Sequence, residues 1–414
     1  MEASIKRDYI WNTIGVLAQN AISPLLLIAV TRINGIYDSG LFSFAFSVAI
    51  IFWVLGMWGG RTYQVSDVTR EFSHRSYVMV RLLLAVCMVV GAIIFVWANG
   101  YDADKSSIIM ALVLFKAMES IADAIHGVLQ VHERLYIVGK SLIYKAISGF
   151  VLFIIIDVIT HNILLSCLGI VFANVIVTLL YDVRIAGKVS TESILPQYLR
   201  KTAKSAVNIM TRTWPVFIVI FLSMFSLNIP RYFIDLYHQE QIGYFGILAM
   251  PITLIGLVMT FILQPKVVQL SKQYEEKKYG LFNQTINKLI AITIGIGFII
   301  MLGAYILGVP VLGVVFGIDF SQYQTVLMII VAGAIINAIV SIFINIFIII
   351  RAFKHQFYTL LVTNIFLVLL SAMFVKQYGL LGGVTLFTAI NLMQGISLFI
   401  GYKYTLAKAA RTNH

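Results

Sequence analysis

The sequence predicts an all-α polytopic membrane protein with 12 transmembrane helices arranged as two six-helix lobes. Three observations predict it. Hydrophobic residues make up 60% of the 414-residue chain and charged residues only 12%, with a mean hydropathy of +0.93, which excludes an ordinary soluble domain. Twelve apolar stretches each have roughly the 17–25 residues a helix needs to cross the hydrocarbon core. Threading them in and out from a cytoplasmic N-terminus puts 25 of the 30 lysines and arginines in inward loops or near the inner ends of the spans beside them. Arg32, Lys105, Arg231 and Lys376 fall outside and Lys116 falls within a span. Cationic loops mark the cytoplasmic side of a plasma membrane, so both termini are expected in the cytoplasm.

The expected spans are 10–33, 39–60, 77–98, 107–129, 142–159 and 163–182, then 206–228, 243–264, 285–308, 325–350, 357–375 and 380–402. The first follows Lys6 and Arg7 but has no small-residue cleavage pattern, so it is read as a retained span rather than a signal peptide. The fifth is short, and Asp157 at its end is expected at the outer interface. None of the spans has the ten-residue alternation of a membrane barrel, which leaves helices. The longest cytoplasmic loop, 183–205, carries Arg184, Lys188, Arg200, Lys201 and Lys204. It divides the chain into an N-terminal lobe (1–182), a basic linker (183–205), a C-terminal lobe (206–402) and a cytoplasmic tail (403–414).

The halves share weak signals. Spans one and seven contain Pro24 and Pro215; span two opens Gly40-Leu41-Phe42 and span eight Gly243-Tyr244-Phe245. With an even number of spans in each half, such a repeat is parallel. The longest outward loop, 309–324, is apolar enough to lie in the interface, and no outward loop is large enough to form a domain.

A net charge of +12 raises the question of nucleic acid. Dividing it by side removes that reading. The inner side, loops and inner span ends together, holds 25 basic and 9 acidic residues and the outer side 4 and 7, a positive surface suited to anionic headgroups. Cys87 and Cys167 sit in separate spans and are read as packing residues; there is no metal-ligand spacing. No nucleotide-binding motif or cofactor signature appears.

The ionisable residues inside the membrane are the leads to function. Lys116, Glu119, Asp123 and His126 are spaced three, four and three apart and share one helical face. Each costs roughly 2.5–3.5 kcal/mol near the bilayer centre unless it pairs or faces water. One reading is a polar cavity wall, with Glu119 and Asp123 as an ion-coupling site and Lys116 toward substrate. The other is a Lys116–Glu119 pair that, with Asp123 and His126, fastens one helix to another. Arg231 follows Pro230, where a helix is expected to stop, and its planar fork suits phosphate. Arg32 and Arg61 end spans one and two and are further cavity candidates. The polar positions Asn12, Gln19, Asn20, Asn337, Ser341, Asn345, Asn391 and Gln394 either line a path for sugar hydroxyls or bind helices together.

Several short segments carry a resemblance: Trp11-Asn12-Thr13-Ile14-Gly15; Asn228-Ile229-Pro230-Arg231-Tyr232-Phe233-Ile234 followed by Ile242-Gly243-Tyr244-Phe245; Gly308-Val309-Pro310-Val311-Leu312 with Phe316-Gly317; and Tyr378-Gly379-Leu380-Leu381-Gly382. In this order the chain resembles bacterial polysaccharide repeat-unit (Wzx-type, O-antigen or capsule) flippases of the multidrug/oligosaccharidyl-lipid/polysaccharide exporter superfamily. The resemblance implies a MATE-like fold with two lobes around a central cavity. It implies a non-enzymatic activity: moving an undecaprenyl-diphosphate-linked oligosaccharide across the plasma membrane by alternating access coupled to H+ or Na+. By position, Arg32, Arg61 and Arg231 match the cationic residues that line such cavities, and Lys116 joins them as a substrate ligand. A polysaccharide polymerase and other assembly proteins are the implied partners. The alternatives are a MATE-type cation-coupled multidrug exporter and, from a different class, a membrane-embedded polysaccharide polymerase or glycosyltransferase.

Overall fold

Apolar spans bury their backbone polar groups by forming helices, and the computed structural model is helical accordingly. It describes residues 2–67, 71–190, 199–350 and 352–411, with no strand among them. Of the expected linker and tail, residues 191–198 and 412–414 lie outside the described set. Ten stretches of the described residues are long and apolar enough to cross a membrane. The helix holding Lys116, Glu119 and Asp123 is not among them, and the last stretch contains two spans merged across a kink. The chain is a multi-pass membrane protein.

The chain packs as two units, Met1–Phe221 and Leu222–His414. Unit 1 contains α1 (Glu2–Asn34), α2 (Ile36–Met57), α3 (Gly60–Ser66), α4 (His74–Asn99), α5 (Ala103–Val131) and α6 (Leu135–Thr160). It continues with α7 (Ile163–Val177), a π-helical segment (Thr178–Val183), α8 (Arg184–Val189) and the first part of α9 (Leu199–Tyr237). Within it α1 lies along α6, and α2, α4 and α7 pack against α5. The α1–α6 crossing is close because it is made of glycine. A Cβ on Gly139 would sit 2.2 Å from the Trp11 carbonyl oxygen, and one on Gly15 2.5 Å from the Gly139 oxygen. Small residues let membrane helices approach backbone to backbone, which gives the Trp11–Gly15 segment a packing role.

Unit 2 contains the rest of α9, α10 (Ile242–Leu248), α11 (Met250–Glu275) and α12 (Tyr279–Gly303). It continues with a second π segment (Ala304–Gly308), α13 (Val309–Phe316), α14 (Gln324–Ile349) and α15 (Phe353–Arg411). Its core gathers Ile255, Met259, Phe282, Phe343, Phe347 and Tyr402 from α11, α12, α14 and α15. The two last spans join at Gly379, where φ is 55° and ψ −134°, a region that a side chain strains to occupy. Gln241 accepts a hydrogen bond from the Leu380 N–H at 2.7 Å and anchors the kink.

The structure adds to several expectations. The α9 helix runs through Pro230 to Tyr237 instead of stopping there; neighbouring helices in a membrane tolerate the freed backbone groups. Asp157, three residues before the end of α6 at Thr160, is fully buried, and Asn34 and Ser166 donate to its carboxylate at 2.9 and 3.1 Å. The 309–324 segment is largely helical, opening with Pro310 in the first turn of α13. Beyond it, Asp319 accepts from the Ser321 N–H and hydroxyl at 2.9 and 2.5 Å, bonds that hold its carboxyl below the ordinary range. The two compact units meet in sequence within α9. The N-terminal part of α9 buries Ala206 and Ile209 against Phe72, Tyr77, Val80 and Leu84, and Trp58 stacks on Phe217 at 3.9 Å.

Candidate functional site

Each member of the α5 stripe has partners, drawn from a different neighbour in each case. Lys116 Nζ donates to Glu119 Oε2 at 2.6 Å and lies 4.7–5.8 Å from the rings of Phe115, Phe46 and Trp53. The ammonium is thus held by one carboxylate and three aromatic faces. Glu119 Oε1 accepts from Gln19 Nε2 at 2.7 Å, tying α5 to α1. The fastening arrangement is therefore present, and Gln19 belongs to it.

One turn on, Asp123 lies between two guanidinium groups, 3.6 Å from Arg61 Nε and 3.3 Å from Arg81 Nη2. Arg81 is buried and also donates to the carbonyls of Gly56 and Met57, where α2 ends. Ser120 donates to the same Gly56 oxygen at 3.0 Å. Helix C-termini leave carbonyls without intrahelical partners, and arginine satisfies them. The chain turns away through Gly59 and Gly60, both at positive φ. Two guanidiniums face one carboxylate, so this cluster keeps one positive charge in excess, and Arg61 is its more exposed member. Replacing Arg81 with Ala should lower stability by about 3 kcal/mol or more, because it strips a buried charge pair and α2's terminal carbonyls together. A thermal melt of the purified variant tests this; a melt like the wild type's would contradict it.

His126, the last member of the stripe, joins a third cluster. Its Nε2 lies 3.2 Å from Ser141 Oγ and 3.2 Å from Asp182 Oδ2, and Lys145 Nζ lies 2.5 Å from the same Asp182 oxygen. All four residues are buried. Sequence reading did not single out Arg81, Lys145 and Asp182, since each lies near the end of an apolar span, where charged residues are ordinary. Arg81 lies in the second turn of α4, and that depth was the available signal.

In unit 2, Arg231 projects from α9 with its guanidinium carbon 5.3 Å from the centroid of the Phe245 ring. Its Nε is buried without a hydrogen-bond partner, and it has no ion pair among the described residues. The two segments that carried the resemblance in this region thus meet through this contact. Several buried polar residues of unit 2 bond to one another across helices. Gln394 donates to Ser226 and Thr363, Ser226 donates to Asn364, and Asn337 donates to Asn391. That is interhelical bonding. Arg32 is exposed in the last turn of α1. Arg61 and Asp123 are the two predicted site residues that the fold brings together across helices; Lys116 and Glu119 pair within α5.

The fold is like those of solved MATE and MurJ structures. Over 99% of this chain and 100% of the other, it is similar to an inward-facing multidrug resistance MATE family transporter of the MOP superfamily, with a TM-score of 0.69 and 14% identity. It is equally similar to the lipid II flippase MurJ in an inward closed conformation, with a TM-score of 0.70 and 13% identity over 95% of this chain and 87% of that one. At such identities these likenesses speak to the fold alone. In sequence, the chain is similar to the capsular polysaccharide biosynthesis protein CapF of Staphylococcus aureus: 25% identical over 382 residues, 92% of this chain and 94% of that protein. No family model matches. The solved structures agree with the fold that the short sequence segments implied, and the likeness to CapF is to a polysaccharide biosynthesis protein.

Proposed function

We propose that this chain is a flippase that translocates an undecaprenyl-diphosphate-linked oligosaccharide repeat unit across the bacterial plasma membrane for O-antigen, capsule or exopolysaccharide synthesis. Both termini lie in the cytoplasm in this reading, and the polysaccharide polymerase acts downstream. The observation that carries it is Arg231: a guanidinium within a membrane helix, held by an aromatic ring, with a buried donor unused. A diphosphate carries about two negative charges and crosses hydrocarbon only if charge-assisted hydrogen bonds replace its water. Arg61 supports the same reading, since the cluster around Asp123 has a positive charge to spare; Arg32 and Lys116 are the remaining candidate ligands. The similarity to CapF supports a polysaccharide cargo. The drug-exporter alternative is favoured by fold alone and fits poorly with cationic side chains left over for an anion.

Transport is coupled to H+ or Na+ in this reading, with Glu119 and Asp123 as the first carboxylates to test. The double variant Glu119→Gln, Asp123→Asn should transport without responding to the ion gradient. An undiminished response would remove both from the coupling role. Deleting the gene for the protein should cause a lipid-linked glycan to accumulate; a normal lipid-linked pool with altered drug susceptibility would favour the exporter.

A further inference from the structure

The third cluster on α5 has an unusual distribution of partners. Both basic groups, Lys145 and His126, approach Oδ2 of Asp182, while Oδ1 of the same carboxylate is buried with no hydrogen-bond partner. Thr178 Oγ1, one turn earlier, is likewise buried and unpartnered. For an ion pair that only holds helices together, an unmade buried acceptor is a cost of about 1–3 kcal/mol with no return. Asp182 and Thr178 also lie in the π-helical segment 178–183, a distortion that is frequent at functional sites.

We infer that His126, Asp182 and Lys145 form a proton-binding site in unit 1, whose occupancy couples proton movement to transport. The charge count favours a proton over a metal ion. Lys145 already fills the cation position beside Asp182, and the other close group is a nitrogen base, whereas a hard cation needs oxygens. Lys145 and Asp182 cancel, so a neutral imidazole leaves the site uncharged. A proton taken from water adds to Nδ1 while Nε2–H stays on Asp182. The resulting imidazolium competes with Lys145 for the carboxylate, and Oδ1 is the acceptor available to it. Release returns the proton to water. The charged groups that face His126 are Asp182 from the π segment, Lys145 from α6 and Arg61 from α3, with Arg61 itself shared with Asp123.

The coupling role rests on the transport reading; the proton site does not. The test is a titration of the full chain, labelled with 15N on its seven histidines, in lipid nanodiscs from pH 5 to 9. His126→Gln identifies the resonance. Ser141→Ala, which perturbs the Nε2 signal, identifies it should the first variant fail to fold. The expected result is a change of the His126 ring nitrogens from the neutral to the charged pattern within that range, and a loss of pH-gradient acceleration of transport in His126→Gln. A His126 that keeps one protonation state throughout overturns the proposal, as does a His126→Gln variant that responds to the gradient like wild type. Because the titration needs no cargo, a titrating His126 without flipping counts against the cargo reading alone. Flipping with a silent His126 counts against this site alone.

Discussion

Cells that carry Arg231→Ala in place of the wild-type protein should make less than about a tenth of the normal surface polymer while retaining folded protein in the membrane. A hydrogen bond from a charged donor contributes about 1.5–3 kcal/mol, and 1.4 kcal/mol is tenfold in an equilibrium; a bidentate fork on a diphosphate supplies two such bonds. The fold should not suffer, because Arg231 has no ion pair among the described residues and its buried Nε has no partner to abandon. What is lost structurally is its contact with the Phe245 ring, about 0.5–1 kcal/mol. Arg231→Lys keeps the charge and gives up the planar fork, so it should fall between. Polymer output is read beside a thermal melt of each variant. Normal output from Arg231→Ala would end the phosphate-ligand assignment, and a collapsed melt would recast the residue as structural.

The second large effect is on folding. Gly139→Val should abolish accumulation of folded protein. Its Cβ would stand 2.2 Å from the Trp11 carbonyl oxygen and 2.3 Å from the carbonyl carbon, and neither is the end of a side chain that can swing aside. The α1–α6 crossing has to open, and overpacking of even ordinary cores costs about 1–3 kcal/mol. Gly15→Val should behave similarly, since it meets Gly139 from the other side at 2.5 Å. Gly187 provides the control, because nothing lies within 4 Å of a Cβ there and Gly187→Ala should accumulate normally. Gel filtration in detergent separates these outcomes; a monodisperse Gly139→Val would show that the crossing is looser than its geometry implies.

The helices were legible from hydropathy, since a chain in lipid has little choice but to satisfy its own backbone. Even α5, whose charges lower its hydropathy, was found by the length of its apolar run. Depth within a span was harder to read. Arg81 and Lys145 belong by residue type to the cytoplasmic edge, yet they are buried on carboxylates that come from other helices. Only the fold brings Asp123 to Arg81 across 42 positions, or Asp182 to His126. Pro230 misled for a similar reason, because the environment that tolerates a proline within a helix is supplied by neighbours. The spacing of Lys116, Glu119, Asp123 and His126 gave the shared face correctly. It could not say that each residue would find its partners on a different neighbour.

In the function proposed, the protein moves a lipid-linked diphosphate glycan between leaflets. The most direct measurement uses vesicles of bacterial lipid containing a polyprenyl-diphosphate oligosaccharide and a membrane-impermeant oxidant of sugars. With the wild-type protein reconstituted, the fraction of glycan initially protected in the inner leaflet should become reachable, and with Arg231→Ala it should stay protected. Equal rates in vesicles with and without the protein, under an imposed proton or sodium gradient of either direction, would contradict the account.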